Sequence, residues 1–332
     1  MKNPKILIVR PDRIGDVVLS TPLPREIKKT YPDSHISILL REYTKDLYLN
    51  NTHVNEIIIY APDENPVSLI RKLRSGKFDF ALTLLPTERL NWILFFTGIR
   101  NRVGVGHKFY QFVTNSKSVF RNKYIPLRHE TDYCLDQIRK LGIETSNLDS
   151  EIFLGEEEKK KAVERKNEFC PNGERLIGIN STSGNSSPNI RFEEYFNLIK
   201  KLTSLSSLKI AVTDLVIPDE ISRLPRVIYL NVGNNLRDSI INFSILDLLI
   251  SSSTGPMHIA AALKVKTVSM FCPLTACSPK LWGPRGNEAK IILPEDNYCQ
   301  AFCPGDPKVC RFEGTGGIDA NMIFEIVKSA LS

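Results

Sequence analysis

Ser252-Ser253-Thr254-Gly255-Pro256-Met257-His258-Ile259-Ala260-Ala261-Ala262-Leu263 is the stretch whose reading decides the fold of this 332-residue chain. Residues 245–250 before it are apolar enough for a buried strand or a helix end. Residues 265–271 after it form the β-branched run of a strand in a parallel sheet. Between them lie small hydroxyl residues, a glycine, and a proline where a first helical turn tolerates one. The pattern predicts a strand, a tight turn and a helix whose N-terminus points out of the sheet. Such an end presents unpaired N–H groups and a positive dipole, which suit a phosphate. An ordinary capped crossover helix has the same local pattern, so spacing alone leaves both readings open.

Working outward, strands are predicted over residues 5–10, 35–40, 56–60, 78–85 and 102–106. Helices alternate with them: one to about residue 30, disturbed by Pro22 and Pro24, then segments near 44–50, 66–75, 89–97 and 130–141. A charged helix over 156–168 ends at Cys170-Pro171-Asn172-Gly173. A second alternation then places strands at 176–180, 208–213 and 227–232, followed by the organising stretch, an edge at 291–293 and a last helix over 319–331. This is an α/β chain of two Rossmann-like, doubly wound parallel-sheet halves joined near 155–173. The loop after the first strand is Arg10-Pro11-Asp12-Arg13-Ile14-Gly15-Asp16, not G-x-G-x-x-G, which disfavours an NAD or FAD dehydrogenase.

Composition, at 42% hydrophobic and 24% charged residues, is that of a soluble globular protein. The apolar run over residues 6–9 is too short for a signal peptide, and no run suits a membrane span, so a cytoplasmic location is expected. Residues 1–150 hold 23 Lys and Arg against 16 Asp and Glu, which places the whole net charge of +7 in the first half. Such a bias favours a phosphorylated or membrane-associated partner; nucleic acid is disfavoured, no basic stripe interleaved with aromatics being evident. Seven cysteines without an export signal argue for thiols or metal rather than disulfides. Cys299, Cys303 and Cys310, with Cys272 and Cys277 upstream, lack the paired C-x2-C spacing of a good zinc site.

Three places carry candidate chemistry. Gly15 and Asp16 follow the first strand, where doubly wound sheets bind ligands; Asp16 reads equally as a base or as a helix cap. The loop Asn180-Ser181-Thr182-Ser183-Gly184-Asn185-Ser186-Ser187 follows the first strand of the second half and suits phosphate oxygens, or is simply a polar turn. His258, in the first turn of the organising helix, offers a proton or hydrogen bond there, or packs beneath the loop. Asp214, Asp219 and Glu220 are candidates to hold a ribose or base, and ordinary loop acids otherwise.

Two strings resemble signatures of glycosyltransferase family nine, the lipopolysaccharide heptosyltransferases: Ser253-Thr254-Gly255-Pro256-Met257-His258-Ile259-Ala260-Ala261-Ala262, and Arg10-x-x-x-Ile14-Gly15-Asp16-Val17-Val18 followed by proline. The resemblance implies the GT-B architecture: an acceptor-binding domain over 1–165 facing, across a cleft, a donor-binding domain over 174–318. It implies also that residues 319–332 form a helix crossing back to the first domain. Asp16 is then the catalytic base, with Arg10, Arg13 and Gly15 on the acceptor side. Ser181, Thr182, Ser183, Arg191, Ser253, Thr254, Gly255, Pro256, Met257 and His258 then bind the donor. The implied reaction is inverting, metal-free and without cofactor, with an ADP-heptose donor and a lipid-linked lipopolysaccharide-type acceptor at the cytoplasmic membrane face. Trp282-Gly283-Pro284 is similar to the family's C-terminal region. Two positions depart from the pattern: the acidic residue before Thr254-Gly255 is Ser253, and the lysine expected near Ile190 is absent, leaving Arg191. Rival readings are a nucleotide-sugar epimerase of the same architecture and a non-catalytic binding homologue.

Overall fold

The computed structural model describes residues 3–121 and 124–331. The chain divides into two compact units, Met1–Phe153 and Leu154–Ser332. The first holds β1 (Lys5–Val9), β2 (His35–Leu40), β3 (Glu56–Ile59), β4 (Phe80–Thr83), β5 (Asn101–Val105) and β6 (Lys117–Val119), all parallel, in the order β3-β2-β1-β4-β5-β6. The second holds β7 (Arg175–Asn180), β8 (Leu208–Val212), β9 (Val227–Tyr229), β10 (Leu248–Ser252), β11 (Lys266–Met270) and β12 (Ala289–Ile292), parallel, in the order β12-β11-β10-β7-β8-β9. Both are doubly wound: the order reverses beside β1 in one sheet and beside β7 in the other. Ligands of such sheets bind outside the carboxyl ends of the strands at that reversal. The loops after β1, β7 and β10 lie there.

The central strands show why these residues form parallel sheets. Ile6, Leu7, Ile8 and Val9 of β1, and Leu248, Leu249 and Ile250 of β10, are fully buried. A strand covered on both faces reads as a continuous apolar run rather than an alternation.

Several expectations are corrected. The helix expected after the loop ending at Asp16, disturbed at Pro22 and Pro24 and running to about residue 30, is two helices, Ile14–Val18 and Pro22–Thr30; the first starts inside the expected loop, and Pro22 begins a new first turn. The helical segment expected near 44–50 is a 3-10 helix, Glu42–Leu47, which starts earlier and ends before Tyr48. Strand β6 was not anticipated. The charged helix Glu156–Phe169 belongs to the second unit, not to a first domain ending at 165. Its charges meet partners there, Glu158 with Arg237 at 2.5 Å and Lys161 with Asp238 at 2.9 Å. The last helix is Ala320–Leu331. It places Ile323, Val327 and Ala330 in the core of the second unit and packs on the helix Phe192–Thr203.

All seven cysteines are free, and no group of three or more His, Cys, Asp or Glu among the described residues is arranged to hold a metal ion. No helix among them is long and apolar enough to cross a membrane.

Candidate active site

In the first unit, β1 delivers Arg10 to its carboxyl end, where the guanidinium is 2% exposed. Nη2 donates to Asp16 Oδ1 at 3.1 Å, Nε to the Asp16 carbonyl at 3.1 Å and Nη1 to the Leu84 carbonyl at 3.3 Å. Asp12 and Glu130 each lie 3.5 Å from the same guanidinium. Glu130, at the start of the helix Glu130–Arg139, is gripped from its other side by Arg121 and accepts from the Cys134 thiol at 4.0 Å. Burial pushes that thiol up to about 12, so it stays a neutral donor.

Three carboxylates therefore surround Arg10, with Arg121 as a second partner for one of them. Burial pushes the Asp16 carboxyl up to about 6 against the pull of Arg10, and the charges of Asp12 and Glu130 add to the rise. The Asp16 side chain keeps 23% exposure, so it is both raised and reachable. A carboxylate of that kind is built to accept a proton near neutral pH. Arg13 is exposed and Gly15 half-buried. Arg10, expected on the acceptor side, directs donors at Asp16 and the Leu84 carbonyl.

In the second unit, β10 runs into the helix Gly255–Ala262 through Thr254, whose extended backbone starts the helix and whose hydroxyl donates to the Ser252 carbonyl at 3.3 Å. Pro256 has no N–H to offer. Gly255 and Met257 head the helix, and the N–H groups of a first turn have no intrahelical partner. His258 N–H already reaches back to Thr254. The side chains of Met257 and His258 are buried, Met257 completely, so the backbone rather than the side chains presents itself here. Ser253, where an acidic residue was expected, is half-buried.

The hydroxyl-rich loop after β7 closes on a carboxylate of its own unit. Asp214, 1% exposed at the end of β8, accepts from Ser181 N–H, Ser181 Oγ, Thr182 N–H and Asn180 Nδ2, each at 2.9 Å, and from Thr182 Oγ1 at 2.5 Å. Ser181 and Thr182, expected to bind the donor, direct their N–H and hydroxyl groups at this carboxylate. Ser181 and Thr182 thus shape the loop, and Asp214, read either as a ribose or base contact or as an ordinary loop acid, anchors them. Ser183 accepts at its carbonyl from Ser186 N–H at 3.0 Å and Oγ at 2.6 Å. Gly184 and Asn185 turn the chain through the left-handed region at φ of 54° and 56°.

Asn189, not singled out from sequence, ties this loop to the organising stretch. It donates to the Ser181 carbonyl at 2.7 Å and accepts from Tyr195 at 2.7 Å and from Ser252 Oγ at 2.6 Å. Ile190, where a lysine was expected, is a core residue. Arg191 is exposed and pairs with Glu313 at 3.3 Å. Asp219 and Glu220 are exposed on a 3-10 turn.

Comparison with known proteins bears on the family and the fold. The sequence matches the model of glycosyltransferase family 9 (heptosyltransferase) over residues 67–306, which includes the organising stretch and begins after the Asp16 loop. Lipopolysaccharide heptosyltransferase 2 of Escherichia coli strain K12 is 22% identical over 311 residues, 87% of each chain. The crystal structure of a family 9 glycosyl transferase from Veillonella parvula superimposes with a TM-score of 0.81 at 20% identity, covering 99% of this chain and 97% of that one. The E. coli heptosyltransferase WaaC with ADP gives a TM-score of 0.69 at 15% identity, over 98% and 99%. At those identities the structural likenesses speak for the fold. With a family match over most of its length and a fold to suit, the chain belongs to glycosyltransferase family 9.

Proposed function

We propose that this protein is an inverting glycosyltransferase that moves a sugar, heptose in the first instance, from an ADP-linked donor to a hydroxyl of a lipid-linked, lipopolysaccharide-type glycan. The observation that carries the reading is Asp16: a reachable carboxylate, fixed by Arg10 and raised to about 6 by burial among other acids. In this reading Asp16 takes the proton of the acceptor hydroxyl as its oxygen bonds to the anomeric carbon. The bond from that carbon to the diphosphate breaks on the opposite face, which inverts the configuration. The leaving diphosphate meets the backbone N–H groups and dipole at the start of the helix Gly255–Ala262, so that the helix end does the work a divalent cation does elsewhere. No cofactor enters. Family membership favours transfer over the epimerase alternative, and a raised, accessible carboxylate favours turnover over mere binding. The ADP found with WaaC supports the choice of nucleotide.

A thermal-shift series with ADP, UDP, GDP and CMP tests the donor side. ADP alone is expected to stabilise, by about 3 kcal/mol at a hundredfold excess over Kd, or roughly 5–10 °C. Stabilisation by a different nucleotide would keep the transferase and replace the donor. No response to any of them would sink the donor reading.

A second test addresses the base. Because the Glu130 charge helps to raise Asp16, Glu130→Gln is expected to move the acidic limb of the pH–rate profile to lower pH. An unmoved limb would leave Glu130 with only a structural part, holding Arg10 and Arg121.

A further inference from the structure

The short helix Phe109–Val113 is turned with its apolar face outward. Phe109, Phe112 and Val113, which share a face by their i, i+3, i+4 spacing, are 81%, 84% and 50% exposed. Polar contacts fix the inner face. Gln111, 3% exposed, donates to the Val105 carbonyl at 3.2 Å and accepts from Lys108 N–H at 2.9 Å. Asn91 donates to the Tyr110 carbonyl at 3.2 Å and to Thr114 Oγ1 at 3.0 Å, and the buried Arg102 donates to the Thr114 carbonyl. Rolling the helix to hide its phenylalanines would break these bonds and strand buried polar groups. The exposure is therefore built in. Phe120, 63% exposed, packs its ring at 5.6 Å on that of His107, two residues before the helix.

The charge around this patch is one-sided. Residues 89–129 contain eight Lys and Arg and no Asp or Glu, against a net charge of +7 for the whole chain. The basic bias of the first half is thus gathered in one segment that also carries the exposed aromatics. The expectation of no basic stripe interleaved with aromatics is corrected here, since averaging over half the chain conceals it. Arg102, Arg121 and Arg128 are committed to partners, while Arg100, Lys108 and Lys117 are exposed.

We infer that this face docks the protein on an anionic lipid surface, with Phe109, Phe112 and Phe120 entering the headgroup boundary and Lys108 and Lys117 meeting lipid phosphates. Exposed apolar side chains ringed by cations are what an interfacial segment requires. A second copy of this chain fits poorly, because a two-fold contact would set one acid-free basic patch against another. Single-stranded nucleic acid, which also stacks on exposed rings beside cations, is the competing occupant that the test below separates. The inference deepens the proposed function by naming the surface that meets a membrane-borne acceptor's bilayer, and it rests on that reading only for the acceptor's identity.

The test is flotation of the full chain with vesicles of phosphatidylethanolamine and phosphatidylglycerol, and with phosphatidylcholine vesicles. Binding is expected to the anionic vesicles only, and to weaken in salt that shrinks the screening length to about 3 Å. Phe109→Ser with Phe112→Ser is expected to lower partitioning at least tenfold, on the order of one lost phenylalanine insertion. Lys108→Glu with Lys117→Glu should lower it at low salt. Unchanged far-UV circular dichroism and an unchanged thermal shift with ADP would show that the variants keep their fold and donor half. If vesicle binding persists while wild type fails to respond to ADP, the donor reading falls and the docking face stands. Absent binding to anionic vesicles, equal binding by the phenylalanine variant, preferential capture of single-stranded RNA, or a dimer lost in the variant with vesicle binding unchanged would each overturn the inference.

Discussion

Replacing Asp16 by asparagine is expected to lower the rate of sugar transfer about 10²–10⁴-fold, the range for loss of a positioned general base, while the thermal response to ADP stays as in the parent protein. The geometry makes the substitution selective. Asparagine keeps an oxygen for Arg10 Nη2 and leaves the Asp16 carbonyl free to accept from Arg10 Nε, so the loop after β1 keeps its shape. With the carboxyl raised to about 6, the parent rate at limiting substrate should fall about tenfold per pH unit below that value. The same shift makes a stability prediction of definite sign. A carboxyl raised above its unfolded value contributes stability that is fully present below about pH 4 and lost as pH rises through about 6. At pH 8 the ionised Asp16 therefore costs the fold up to about 3 kcal/mol, which Asp16→Asn removes. The Tm difference between variant and parent should move in the parent's favour between pH 8 and pH 4, whatever constant offset the amide introduces. Full transfer by the variant would remove Asp16 from the mechanism. A Tm difference that is flat with pH would remove the raised carboxyl.

The fold was legible because the central strands of a parallel sheet announce themselves as uninterrupted apolar runs, which the edge strand Lys117–Val119 does not, and because each reversal of strand order carries a loop rich in small or charged residues. Ile6–Val9 and Leu248–Ile250 are such runs, and Asp16 and Thr254 lie in the turns that follow them. Contacts between distant segments were not legible. Glu130 lies 3.5 Å from Arg10 although 120 residues separate them, and nothing local distinguishes it from any acidic first-turn residue of an amphipathic helix. The hydroxyl run at 181–183 did signal a demand for an acceptor, but a sequence does not say whether that acceptor is a ligand's phosphate or the chain's own carboxylate. Here β7 pairs with β8 in a register that sets Ile179 against Val212, which brings Asp214 beneath Ser181 and Thr182. The charged helix Glu156–Phe169 was assigned to the wrong unit for the same reason: its charges were visible, its partners 77 to 81 residues away were not.

Asp214 should accordingly matter more to the donor half than any residue of the loop it holds. Asp214→Ala is expected to destabilise the second unit by about 3–5 kcal/mol and to abolish the thermal response to ADP. Five donors converge on the two oxygens of this buried side chain, and alanine leaves them to be satisfied by whatever water the cavity admits. Asp214→Asn keeps the volume but turns one acceptor into a donor facing other donors, so it should fail nearly as badly. Thr182→Ala removes a single hydroxyl from the same carboxylate and is expected to cost only about 1 kcal/mol and to keep ADP binding. This contrast separates an anchor from a ligand contact. If Thr182 touched the donor phosphate directly, its alanine variant would lose ADP while keeping its Tm. If Asp214 held the ribose rather than the loop, Asp214→Ala would lose ADP with little change in stability. The hydrogen bonds place the loss at Asp214 and in both measurements together, because a loop released from its carboxylate no longer holds Asn189 against Ser252, the last residue of β10 before the turn into the helix Gly255–Ala262.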